Sequence, residues 1–200
     1  MSDSDTNLEP IEPPEDHECV DESEDAPPGT IPKGESAATR ARSKEKGTWA
    51  GRVGDGSGMY TGELAYNQMH GSGVFQYTGG NQNRDKYAGD FMNGKLNGLG
   101  IYEFGDSAKG GNAVRYEGEF RGGSSTGFGS YTWPTATYFG NIVDGRMEGA
   151  GVERWSSGMR YEGEYAHRKR NGLGAIWNSD GSVNQAGRWQ DNSLIQSMSK

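Results

Sequence analysis

One spacing constrains this chain more than any other feature. Five times an aromatic, any residue and a glycine occur in a row: Tyr60/Gly62, Tyr87/Gly89, Tyr116/Gly118, Tyr138/Gly140 and Tyr161/Gly163. Nine residues after each of those glycines comes a Gly-x-Gly: Gly71/Gly73, Gly98/Gly100, Gly127/Gly129, Gly149/Gly151 and Gly172/Gly174. A sixth, degenerate copy has Gln185 in the aromatic slot before Gly187. Successive opening glycines lie 27, 29, 22, 23 and 24 residues apart, so the length variation falls after the Gly-x-Gly segment. A unit that is invariant inside and variable between copies is the signature of a structural repeat with turns at its joints.

The local pattern is that of strands. Residues two apart share a face of a strand. Each opening aromatic and its glycine therefore share a face with Leu64, Phe91, Phe120, Ile142, Tyr165 or Trp189, two residues further on. Large–glycine–large leaves a slot above the glycine, which a ring from a neighbouring strand is expected to fill. The Gly-x-Gly segments carry rings two and four residues later: Phe75/Tyr77, Tyr102/Phe104 and Tyr131/Trp133. The fourth copy keeps only Trp155, and the fifth has Ile176 followed by Trp177. Asn93-Gly94 and Asp144-Gly145 are strong hairpin turn signals, and Asp55-Gly56 and Asp180-Gly181 suit the connecting turns. The expected fold is all-β: an elongated, single-layer antiparallel meander of about 11 or 12 strands, on the order of 50 Å long.

Composition divides the chain. Every aromatic residue lies between Trp49 and Trp189, and only Gly29 and Gly34 precede Gly47. Residues 1–46 hold six of the seven prolines, 13 acidic and five basic side chains. Such a segment buries too little apolar surface to offset chain entropy, which predicts a disordered acidic, proline-rich tail over 1–46. The sheet is expected over 47–192, with a short C-terminal tail at 193–200. The net charge of −8 belongs to the first segment, because the remainder has 15 basic and 15 acidic residues. A neutral folded part argues against nucleic acid as a partner. The absence of a long apolar run and the single cysteine, Cys19, point to a cytoplasmic chain without an internal disulfide. His17-x-Cys19 has no second ligand pair at metal-site spacing, so neither metal nor cofactor is expected.

The segments YAGDFMNGKLNGLG, YEGEFRGGSSTGFG, YFGNIVDGRMEGAG and YEGEYAHRKRNGLG resemble the MORN repeat family. The resemblance covers about residues 47–192 and implies a single-layer, twisted antiparallel sheet. Trp49-Ala-Gly51-Arg-Val53 looks like a worn half-repeat, and the last copy keeps only Gly187 and Trp189, as end repeats often do. The family recurs in cytoskeletal assemblies, including radial-spoke heads of cilia, and is linked to phosphoinositides and membranes. The resemblance therefore implies a non-enzymatic scaffold subunit, cytoskeletal or axonemal, or alternatively a membrane-associated adaptor.

The Gly-x-Gly strings lack the third glycine of a dinucleotide fingerprint and lead into no helix pattern. His70 fills a slot that holds Asn97, Thr126, Glu148 and Asn171 elsewhere, so it reads as an ordinary polar position. Glu63, Asp90, Glu119 and Glu164 follow the opening glycines and are expected to form a solvated or partner-facing row. No nucleophile–base–orienter set appears, so no enzymatic activity is expected. Partner contacts are assigned to the aromatic face, at Tyr102, Tyr131, Trp133, Trp155 and Trp189. The end strands are candidates for homo- or heterodimer pairing. The cluster Arg168, Lys169 and Arg170 is the candidate contact for anionic lipid, against the plainer reading of a solvated turn. Ser4 and Ser23, beside acidic residues, suit an acid-directed kinase.

Overall fold

The computed structural model describes residues 47–198, apart from 54–56, 83 and 106–112. The expected tail at 1–46, with Ser4, His17, Cys19 and Ser23, lies outside the described residues, as does the Asp55-Gly56 turn. Thirteen strands follow one another in a single antiparallel sheet. They are β1 (Gly47–Arg52), β2 (Gly58–Ala65), β3 (Gln68–Tyr77), β4 (Lys86–Met92), β5 (Lys95–Glu103), β6 (Arg115–Arg121), β7 (Ser124–Thr132), β8 (Ala136–Val143), β9 (Arg146–Trp155), β10 (Arg160–Ala166), β11 (Lys169–Trp177), β12 (Val183–Gln190) and β13 (Ser193–Ser197). The spatial order is the chain order, so β1 and β13 are the edges of the sheet among the described residues. Twelve gaps of about 4.8 Å make the sheet about 58 Å long.

The sheet is longer than expected because it runs past residue 192. Residues 193–197 are not a tail but pair with β12, Ser193 opposite Gln190 and Ser197 opposite Gly187. The turn that allows this, Asp191-Asn192, has both residues at positive φ, 48° and 71°. The same two-residue turn joins the two strands within each repeat: Tyr66-Asn67, Asn93-Gly94, Gly122-Gly123, Asp144-Gly145 and His167-Arg168 all have positive φ. Two left-handed residues in succession match the right-handed twist of the flanking strands.

The registers align the glycines. Gly62 faces Gly73, Gly73 faces Gly89, and the row continues through Gly100, Gly118, Gly129, Gly140, Gly151, Gly163 and Gly174 to Gly187. A trough without side chains thus crosses the sheet perpendicular to the strands. The opening tyrosines fill it. Tyr60, Tyr87, Tyr138 and Tyr161 are 0% exposed and Tyr116 is 1% exposed, although the sheet is one layer thick. Each ring lies over its own strand's glycine and the next strand's. A Cβ on Gly129 would stand 2.6 Å from the Tyr116 hydroxyl oxygen, and one on Gly73 would stand 2.5 Å from the Tyr60 ring. The slot is therefore filled from the same strand, not from a neighbour as expected. A ring folded along its own chain reaches two glycines at once.

The large residue two beyond each glycine stands edge-on to these rings. Tyr60 meets Phe91 at 5.1 Å and 79°, Tyr87 meets Phe120 at 5.0 Å and 82°, and Tyr138 meets Tyr165 at 5.0 Å and 82°. Tyr161 meets Trp189 in the same way, at 5.5 Å and 83°. Each such pair adds about 0.5–1.5 kcal/mol beyond its buried area. Because every pair joins one repeat to the next, the herringbone also couples the repeats.

Two predictions follow from the trough. Gly100→Ala places a methyl group inside the Tyr87 ring position and should cost about 2–3 kcal/mol, read as a lowered urea midpoint. Burial raises the tyrosine pKa values, to about 12 for Tyr60 and Tyr161 from an ordinary 10.0. A folded pKa above the unfolded one means that stability is full below about pH 10 and lost between 10 and 12. Alkaline unfolding followed by circular dichroism should therefore coincide with tyrosinate absorbance.

Candidate groove and the comparisons

Each hairpin carries a bulge where the register slips, for example between Gly89 and Phe91. Gly98, the first of its Gly-x-Gly pair, turns to φ +66°, which a side chain would oppose by about 1–2 kcal/mol. Side chains then close the irregularity. The Tyr87 hydroxyl donates to the Asp90 carbonyl at 2.9 Å, and the Asp90 carboxylate accepts the Leu99 N–H at 3.3 Å. Tyr116 and Glu119 repeat this with the Glu119 carbonyl (2.9 Å) and the Phe128 N–H (3.0 Å). Glu63 takes the Ser72 N–H and Glu164 the Leu173 N–H, both at 3.2 Å. The acidic row is exposed at Glu63, Glu119 and Glu164, as expected, and it also caps the bulges, because the carboxylate directly after the glycine reaches the amide between the paired glycines. Glu119→Ala should cost about 1 kcal/mol, measured by denaturant titration, with the fold retained.

The remaining rings shape a groove on the tyrosine side. One wall consists of the hairpin turns. Each turn's second residue donates back to the preceding repeat: Gly94 to Met69, Gly123 to Leu96, Gly145 to Ser125, Arg168 to Met147 and Asn192 to Arg170. The other wall consists of the rings at the far ends of the Gly-x-Gly strands. Three hollows of about 270, 230 and 390 Å³ lie in series along it. The first and second share Tyr77, Leu96 and Gly123, and the second and third share Phe104 and Tyr131. Trp133, Met147 and Arg168 line the third.

The expected contact residues divide in two. Tyr102 is 7% exposed; its hydroxyl donates to the buried Asp85 carboxylate at 2.9 Å and accepts from Gln82 at 3.0 Å. Trp189 is 3% exposed and its indole donates to the Gly174 carbonyl at 3.0 Å. Both are buried by their neighbours, although Tyr102 still lines the second hollow. Trp189 also lies in β12, so the terminal edge belongs to β13. Tyr131, Trp133 and Trp155 are half-buried and present ring surface; the Tyr131 hydroxyl meets the Ser125 hydroxyl at 2.8 Å. Asp85 had no signal in the sequence. It lies in the first long connection, where its carboxylate also accepts the Gly105 N–H at 2.7 Å and ties two connections together.

The basic cluster does not stay together. Lys169 pairs with Asp191 at 2.9 Å. The Arg170 guanidinium stacks among Trp189 (4.8 Å), Tyr161 (5.6 Å) and Trp155 (5.9 Å). His167 rests on Glu148, 3.1 Å from its Nδ1. Arg168 alone points along the groove wall, and its Nη2 donates to the Gly145 carbonyl at 2.9 Å. His70 is half-buried, and its Nδ1 has no hydrogen-bond partner among the described residues. Among the described residues no group of His, Cys, Asp and Glu is arranged to hold a metal, and no helix is long and apolar enough to cross a membrane.

The MORN repeat model matches five segments: 60–82, 87–109, 116–136, 138–160 and 161–183. The chain belongs to the MORN repeat family. Each matched segment opens on a buried tyrosine, so the family boundaries coincide with the rings in the trough. MORN arrays bind proteins or membrane lipids. No curated protein matches the chain closely enough to count as a relative.

Proposed function

We propose that this MORN chain is a non-enzymatic assembly subunit that holds a protein partner in its aromatic groove. The observation that supports this most is the split among the rings. The tyrosines in the trough and Trp189 are used up in packing, whereas Tyr131 and Trp133 line the groove's third hollow and Trp155, on the next Gly-x-Gly strand, is half-buried. Half-buried aromatics beside an apolar hollow are the usual anchors of protein recognition. A helix or an extended segment of a partner fits such a channel. The edge strands β1 and β13 offer backbone groups for dimerisation. The cytoskeletal or ciliary setting, with its radial-spoke-like complex and a cytoplasmic location, is part of this reading and rests on family likeness.

The anionic-lipid alternative relies on Arg168, Lys169 and Arg170 acting together. With Lys169 paired and Arg170 stacked, only Arg168 lacks a side-chain partner, so the protein reading is preferred.

Affinity capture from cells with quantitative mass spectrometry tests the proposal. Trp133→Ala combined with Trp155→Ala should lower capture of stoichiometric partners at least tenfold, as expected when about 1.4 kcal/mol or more of anchoring is lost. Retention of every partner by the folded double variant would remove the groove as the docking surface. Strong flotation with phosphoinositide vesicles, lost on Arg168→Glu/Lys169→Glu/Arg170→Glu, would favour the lipid reading instead.

A further inference from the structure

Arg168 occupies a backbone position that does not suit it. In the six hairpin turns the second residue is Asn67, Gly94, Gly123, Gly145, Arg168 or Asn192. Glycine and asparagine tolerate the left-handed region, whereas arginine at φ +68° is strained. The strained residue also lines the largest hollow of the groove, beside Trp133. Strain held at a lined cavity points to a retained task for the side chain.

Charge narrows the task. Among the described residues, the charged side chains that line the three hollows are Lys95 and Arg168, both cationic, and neither forms an ion pair there. The groove therefore favours an acidic occupant. Periodicity narrows it further. Equivalent wall positions recur every two strands, about 9.6 Å. A polyproline II strand rises about 3.1 Å per residue and repeats every three, about 9.3 Å. Prolines three apart would meet successive repeats in step. Aromatic-walled grooves take such strands because their conformation is already fixed, and indole N–H groups serve their carbonyls. The Trp133 indole donates to no group among the described residues.

The chain itself contains a segment of this kind. Pro10-Ile11-Glu12-Pro13-Pro14-Glu15-Asp16 has prolines three apart and three carboxylates. Thirty residues, 17–46, connect it to β1, where the groove begins. They can span up to about 100 Å, twice the groove's length of about 48 Å. Tethering supplies an effective concentration near the millimolar range, so a weak contact suffices.

We propose that Pro10–Asp16 docks in this groove as a polyproline II strand, its carboxylates beside Arg168 and Lys95, and competes with protein partners for it. The inference rests on the groove being a binding surface, as proposed above.

Cys19, the single cysteine, lies three residues past Asp16 and accepts a nitroxide label in the full-length chain. In nuclear magnetic resonance spectra the label should erase most of the Trp133 indole and Gly145 amide intensity while sparing the Val183 and Ser193 amides. Pro10→Ala/Pro13→Ala/Pro14→Ala should restore the signals. So should Arg168→Gly, which installs the residue found in three sister turns and leaves the sheet intact. The proline variant should also capture several-fold more partner from cells. Broadening that spares the groove, or that persists in the proline variant, overturns the proposal. If the label spares the groove while Trp133→Ala/Trp155→Ala still loses its partners, only this inference fails. If those variants lose nothing either, the groove reading fails with it.

Discussion

The structure depends on tyrosine rings seated on a row of glycines. A single-layer sheet has no second sheet or helix to cover it, so it must find a hydrophobic core within its own thickness. The glycine row supplies the depth. Removing side chains from two adjacent strands lets a ring sink to full burial, and the large residue of the next repeat closes over it edge-on. Each ring also fixes the bulge beside it through the hydroxyl bond to the carbonyl three residues on. Packing, register and coupling between repeats thus arise from one contact made five times.

That economy determines what is left for function. The trough consumes the opening tyrosines and the residues two beyond the glycines. The acidic residues that follow the glycines are consumed by the bulges. What remains on the tyrosine side is the margin: rings at the ends of the Gly-x-Gly strands facing a wall of turns. The groove is the space between these margins, and its chemistry can vary without disturbing the trough. Arg168 shows this freedom, since its backbone performs the same turn as Gly94, Gly123 and Gly145 while its side chain adds a charge to the wall.

Much of the fold was legible in the sequence. The offset of nine fixes hairpin and register together, and so specifies the meander and the slot above each glycine. Three features were not legible. The ring that fills the slot could not be assigned to a strand, because alternation says which face a side chain takes but not how far it folds along its own chain. The capping role of the exposed carboxylates was missed because a bulge, which brings the Leu99 amide to Asp90, breaks the two-residue alternation on which the reading relied. The end of the sheet was missed because Asp191-Asn192 lacks the glycine that marks three of the other tight turns, while Asn192 still enters the left-handed region at +71°. In the site, Trp133, Tyr131 and Trp155 were found as open rings, but Tyr102 and Trp189 look the same in sequence. Only their neighbours, Asp85 and Tyr161, separate packing rings from available ones.

The seated rings can be tested directly by the ring currents they impose. The Hα protons of Gly73, Gly100, Gly129, Gly151 and Gly174 lie beneath tyrosine faces. In assigned nuclear magnetic resonance spectra they should be displaced strongly upfield of the turn glycines Gly94 and Gly181. A Tyr87→Leu variant should return Gly100 alone toward ordinary sheet values. Glycine-row protons at unshifted positions in the native protein would mean that the rings do not lie in the trough, and would contradict the account.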